Sequence, residues 1–84
     1  MNGANRKTLA AIFEEPAKPD IRWSSVEALV RACGGEVTEG RGSRVRFHLN
    51  GIRAVFHRPH PQPTTRRGAI RSLRRFFSEA GIEP

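Results

Sequence analysis

Apolar residues recur along the chain at two spacings, and these divide it into helical and extended stretches. Over residues 6–15, Leu9, Ile12 and Phe13 fall at i, i+3 and i+4, which predicts a short amphipathic helix ended by Pro16. Arg6 and Lys7 lead it and Glu14 and Glu15 trail it, against the helix dipole, so it must draw its stability from docking. Residues 16–22, with two prolines, read as an extended linker. Ser24 and Glu27 then have capping-box spacing. Val26, Leu29, Val30 and Cys33 follow as a second helical stripe that Gly34 and Gly35 end.

Helical spacing then gives way to a period of two. A short strand over residues 36–39 and the loop Gly40-Arg41-Gly42 lead into residues 43–49, where Val45, Phe47 and Leu49 share one side and Arg44, Arg46 and His48 the other. Asn50-Gly51 suits a type I′ hairpin turn, which needs positive φ at both positions. Ile52, Ala54 and Phe56 continue the apolar side, and Arg53, Val55 and His57 the polar one. Pairing Leu49 with Ile52 sets His48 opposite Arg53, Arg46 opposite Val55 and Arg44 opposite His57.

Three prolines make residues 58–65 a loop, and Thr64 or Thr65 can cap the helix expected from Arg66 to Ala80. Ile70, Leu73, Phe76, Phe77 and Ala80 form its apolar stripe, Arg67, Arg71, Arg74 and Arg75 gather on roughly the opposite arc, and Gly81 closes it. The expected fold is α+β. Helices pack on one face of a three-stranded antiparallel sheet and leave the other face open to water, within a single domain over residues 1–84.

Composition adds where function must sit. A chain of 84 residues has room for one thin core and none for a second domain or a large enclosed active site, so the chemistry belongs on the surface. The net charge of +7 is unevenly spread, since residues 41–84 hold ten basic and two acidic residues while residues 1–40 hold five and six. One strongly cationic half points to a polyanion, with nucleic acid first. The single cysteine forbids an internal disulfide, and no Cys and His spacing suits zinc. The apolar run from Leu9 to Phe13 is too short for a signal peptide or membrane span. A cytoplasmic protein with no membrane association and no small-molecule cofactor is expected.

The polar side of the hairpin collects Arg44, Arg46, His48, Arg53 and His57. Clustered cations repel unless an anion sits among them, so a phosphate-binding surface competes here with an ordinary solvated sheet face. Histidines supply the acid and base chemistry available near neutral pH. On RNA, one group would take the 2′-hydroxyl proton, the oxygen would attack the adjacent phosphate, and arginine would stabilise the transition state, with no metal required. The arginine row of the last helix can track a phosphate backbone, dock an acidic protein, or simply face solvent.

Gly42-Ser43-Arg44, a hairpin, a loop of proline and histidine, Gly68-Ala69-Ile70-Arg71-Ser72 and Glu79-Ala80-Gly81-Ile82 follow one another in an order that resembles the HicA toxins of bacterial toxin-antitoxin pairs. The resemblance covers residues 24–82, and residues 1–23 look like a leader helix and linker beyond that core. It implies a double-stranded-RNA-binding-domain-like fold of order αβββα, endoribonuclease activity on mRNA, and neutralisation by a HicB-like antitoxin. The family motif is Gly-Ser-His with a catalytic histidine, whereas Arg44 stands at that position here. An arginine stays protonated and cannot act as a base. Either the chemistry has moved or the protein is inactive.

The hairpin register supplies His57 as the proton-transfer residue, with Arg44 and Arg46 stabilising phosphate. His60 resembles a loop histidine of the family and is, with His48, the expected second acid or base. Arg46, His48, Arg53, Arg58, Arg67, Arg71 and Arg74 are expected to bind RNA. A noncatalytic RNA-binding module, with Arg44 as a phosphate clamp, is the alternative, and a module that docks an acidic partner through its arginine helix is a third. The antitoxin is expected to be acidic and to cover the hairpin face and residues 58–65.

Overall fold

The computed structural model describes residues 1–84 as α1 (Gly3–Ile12), α2 (Trp23–Ala32), β1 (Glu36–Glu39), β2 (Arg44–Leu49), β3 (Ile52–His57) and α3 (Arg67–Glu79). The strands form one antiparallel sheet of order β1-β2-β3. The hairpin pairs as the turn dictates: Leu49 meets Ile52, His48 meets Arg53, Arg46 meets Val55 and Arg44 meets His57. Asn50 at φ 51° and Gly51 at φ 82° supply the two positive dihedrals that a type I′ turn requires.

Alternation along β2 and β3 turns Val45, Phe47, Leu49 and Phe56 inward, where they are buried with α2 and α3 packed over them. The centre of the core is aromatic. Trp23 stacks on Phe47 at 5.7 Å between ring centroids, and Phe56 and Phe76 tilt against the same ring at 5.3 and 5.9 Å. Offset and tilted contacts of this kind contribute beyond the area they bury. The opposite sheet face carries Arg44, Arg46, Arg53 and His57, all exposed, with Val55 58% exposed among them.

Three element starts differ from expectation, the first through a local cap and the other two because a tertiary contact displaced a local one. α1 begins a turn earlier, at the N-cap Asn2, whose side chain accepts from the Asn5 N–H at 2.8 Å, and it ends at Ile12 instead of reaching Pro16. In α2 the Ser24 and Glu27 capping box does not form. Arg22 holds the N-cap position, the Trp23 N–H donates to the Pro63 carbonyl at 2.9 Å, and Glu27 turns inward to accept from the Trp23 indole at 2.5 Å. A buried indole N–H needs an acceptor, and that need outweighs a surface cap. In α3 neither threonine caps. Buried Thr65 instead donates its hydroxyl to the Ile21 carbonyl at 2.8 Å and ties the loop to the stretch before α2.

The N-terminal segment is docked throughout. α1 packs on α2 and α3, and Leu9, Ile12, Ala17 and Ile21 all join the single buried core. The stretch over residues 16–22 is therefore not a free linker, because its apolar residues are inside.

Candidate functional site

Two short loops bring the site together. Gly40 allows the first to close: a Cβ there would lie 2.9 Å from the Arg44 Cβ, and only glycine leaves space for the Gly40 N–H to donate to the Arg44 carbonyl at 2.9 Å. That closure presents Ser43 beside the end of β3, where its hydroxyl lies 3.2 Å from His57 Nδ1. The second loop, residues 58–66, folds back across the start of α2. It is held by the Trp23 bond to Pro63, an Arg22 to Thr64 bridge, and the Thr65 N–H donating to the Ile21 carbonyl at 2.8 Å. His60 is thereby carried to the same groove as His57.

That groove, about 580 Å³, is lined by Ser43, His57 and His60 on one side and by Arg66, Gly68 and Ala69 of the α3 start on the other. The first turn of α3 has no acidic residue and no side-chain cap, so its amide N–H groups and dipole are available to an anion. Arg44 pairs with His57 across the strands, in a position where the ladder brings side chains close. His48 lies apart, over the sheet face, with its Nδ1 3.4 Å from a Glu36 carboxylate oxygen. The structure thus brings His57 and His60 to one groove, sets Arg44 opposite His57 on the sheet and leaves His48 outside.

The seven residues expected to meet RNA divide into two groups. Arg46, Arg53 and Arg71 are exposed, and Arg46 also reaches the Glu39 carbonyl at 3.3 Å. His48 is half-buried beside Glu36. The other three have donors engaged by groups of the fold itself, although Arg67 remains exposed. Arg67 Nε donates to the Ala17 carbonyl at 3.1 Å, and Arg74 donates to the Ile12 carbonyl at 3.0 Å, the Glu14 carbonyl at 2.9 Å and the Glu15 carboxylate at 2.6 Å. The arginine row of α3 is therefore not one solvent-facing arc, because Arg67 and Arg74, a heptad apart, face the leader.

Arg58 is the most constrained of them. Its guanidinium spans two carboxylates, giving Glu27 bonds of 2.8 and 3.2 Å and Glu39 bonds of 2.6 and 2.7 Å. Glu27 is buried, and the same carboxylate takes the Trp23 indole N–H. The Arg58 hydrogen bonds hold the Glu39 carboxyl below its ordinary range, and the two carboxylates raise Arg58 further into its charged form. The residue that follows His57 is thus bolted to α2 and β1. Nothing in the one-dimensional pattern announced this clamp, because Glu27 has the spacing of a capping residue and its burial shows only in the fold.

Cys33 is half-buried against the core, and burial pushes its thiol up, away from reactivity. No three His, Cys, Asp or Glu side chains lie together as a metal-holding group, and no helix is long and apolar enough to cross a membrane.

Helices packed on one face of an antiparallel sheet, in the order αβββα after the leader, define an α+β fold of the double-stranded-RNA-binding-domain type. A family model described as the HicA toxin of bacterial toxin-antitoxin systems matches residues 23–82, so the chain belongs to the HicA toxin family. No curated protein and no solved structure matches it. A toxin of such a pair has an antitoxin as its partner. α1 lies outside the matched residues.

Proposed function

We propose that the protein is an endoribonuclease toxin that cleaves mRNA without a metal ion and is silenced by a HicB-like antitoxin in the cytoplasm. The observation that carries the reading is the Ser43 bond to His57, which orients one imidazole in a cationic groove that holds a second, His60. When His57 donates its Nδ1–H to the Ser43 oxygen, Nε2 is left unprotonated, as a general base requires. His57 then takes the proton of a ribose 2′-hydroxyl, the oxygen attacks the adjacent phosphorus, and the bond to the 5′-oxygen breaks. His60 protonates that leaving oxygen. The products are a 2′,3′-cyclic phosphate and a 5′-hydroxyl end.

Arg44 and the amides opening α3 stabilise the charge gathering on the phosphate, with Arg46 beside them. Arg53, His48 and Arg71 extend the cationic surface along the strand of RNA, while Arg58, Arg67 and Arg74 hold the scaffold on which the RNA sits. Leader and matched core act as one domain over residues 1–84. Purified protein incubated with a labelled mRNA in EDTA tests the reading. Cleavage leaving cyclic-phosphate ends is expected, and its loss in EDTA or persistence in His57→Ala would refute the mechanism.

A second reading rests on one observation, the arginine at the family's catalytic histidine position. On that reading the groove clamps phosphate and cleaves nothing. Tight, salt-sensitive RNA binding with intact RNA after long incubation would favour it.

A further inference from the structure

The groove beside His57 does not stop at the active-site residues. It continues as a second hollow of about 210 Å³ between β3 and α3, and the two share Val55 and Phe56 in their walls. One cleft therefore runs the length of β3, from Ile52 at the hairpin turn to the two histidines. Its floor on the helix side is built from Ala69 and Ser72, small residues that keep α3 from filling it.

The other wall is a bare strand edge. The Arg58 N–H donates to the Ser43 carbonyl at 2.8 Å, which fixes the phase of the β2–β3 ladder. Ile52, Ala54 and Phe56 turn their main-chain groups to β2, and Arg53, Val55 and His57 turn theirs outward. β3 is the sheet's terminal strand, so those outward N–H and C=O groups have no neighbour. A free edge of six residues is a template for another strand, and only an extended peptide matches its alternation of donors and acceptors.

We infer that this cleft receives an extended, acidic segment of the partner protein, which adds to β3 as a fourth strand and ends at His57. Charge selects the occupant. Arg53, Arg66 and Arg75 flank the cleft, and Glu79 is its only carboxylate, already 3.3 Å from Arg75. A second copy of the chain pairing β3 to β3 would set Arg53 and His57 of the two copies together, so like charges oppose it. The other sheet edge, β1, is four residues long with Glu36 and Glu39 in it, and repels an acidic strand. Occlusion of the catalytic groove rests on the function proposed above. Strand addition does not.

The two are separable with a synthetic ten-residue peptide alternating glutamate with valine and threonine, and a control with lysine in place of glutamate. Titrated into the ¹⁵N-labelled protein, the acidic peptide should shift and protect from exchange the amides of Arg53, Val55 and His57, and the lysine peptide should not. Val55→Pro removes an outward N–H that β2 does not use, and should weaken binding about tenfold, while Val55→Thr should not. Arg53→Glu should weaken it comparably and gives a second route should the proline variant misfold. Protection on β1, equal binding of both peptides, full binding by Val55→Pro and Arg53→Glu, or protection of these amides by a single-stranded oligonucleotide instead of the peptide would each overturn the proposal. So would a dimer in light scattering that the peptide does not dissolve. RNA cleavage is read separately: peptide protection in a protein with no nuclease activity leaves strand addition standing and removes the proposed function.

Discussion

Arg58→Met is the substitution on which the fold and the site most directly meet. Methionine keeps the apolar stem and much of the volume, so the change isolates the guanidinium from any cavity. Four hydrogen bonds are lost, two to Glu27 and two to Glu39. The Glu39 pair sits at an exposed carboxylate, where solvent replaces it at little cost. The Glu27 pair is different, because that side chain is 10% exposed and without Arg58 keeps only the Trp23 indole and an Arg31 nitrogen at 3.7 Å. Stranding a buried carboxylate costs about 3–5 kcal/mol when burial is complete. The Arg58 side chain is 32% exposed, so water reaches the vacated space and about 2–3 kcal/mol is the discounted figure. For a chain of this size that lowers the melting temperature by about 10–20 °C, read by calorimetry or far-UV circular dichroism. Arg58→Lys should recover less than half, since a point charge cannot span both carboxylates. A melting temperature for Arg58→Met within about 4 °C of the parent would refute the clamp as a structural element.

The clamp also has an acid limit. Because Glu39 is held below its unfolded-state value, its contribution is present above the ordinary carboxylate range and is lost as pH falls through the folded-state value; urea midpoints should drop below about pH 4, and less so in Glu39→Gln. Ser43→Ala should retain RNA binding and slow cleavage by about tenfold, with His57→Ala costing about a hundredfold or more at unchanged melting temperature; equal rates for Ser43→Ala and the parent would remove the orienting role of the hydroxyl. Arg74→Met deletes three bonds to the leader and should cost about 1–2 kcal/mol while making the chain near residues 13–20 susceptible to limited proteolysis, a cut that the parent resists.

The sheet was legible because its signals are local. Asn50-Gly51 fixes a two-residue turn, and strict alternation on both sides then leaves one register, so the pairing of Arg44 with His57 follows from counting. The helix starts were less so, since Glu27 looks like a capping residue until the Trp23 indole and Arg58 are known to lie beside it. Long-range pairing carries no periodicity. The same reason hid the division among the arginines: Arg67 and Arg71 are indistinguishable along the helix, and only the position of Ala17 separates a residue tied to the leader from one in solvent. His60 reaches the groove through backbone bonds to Ile21 and Trp23, contacts that no spacing rule encodes.

The leader bonds join the two ends of the chain, with Arg67 reaching back 50 residues to Ala17 and Arg74 62 residues to Ile12. Synthesis runs from the other direction. α1, unfavourable as an isolated helix, meets α2 first and gains its α3 contacts only when residues 67–79 have left the ribosome, and the loop carrying His60 closes on Ile21 and Trp23 only after residue 65 is made. Contacts of this separation place assembly of the groove after residues 66–69 are made, so a shorter nascent chain carries His57 and His60 without yet having the groove.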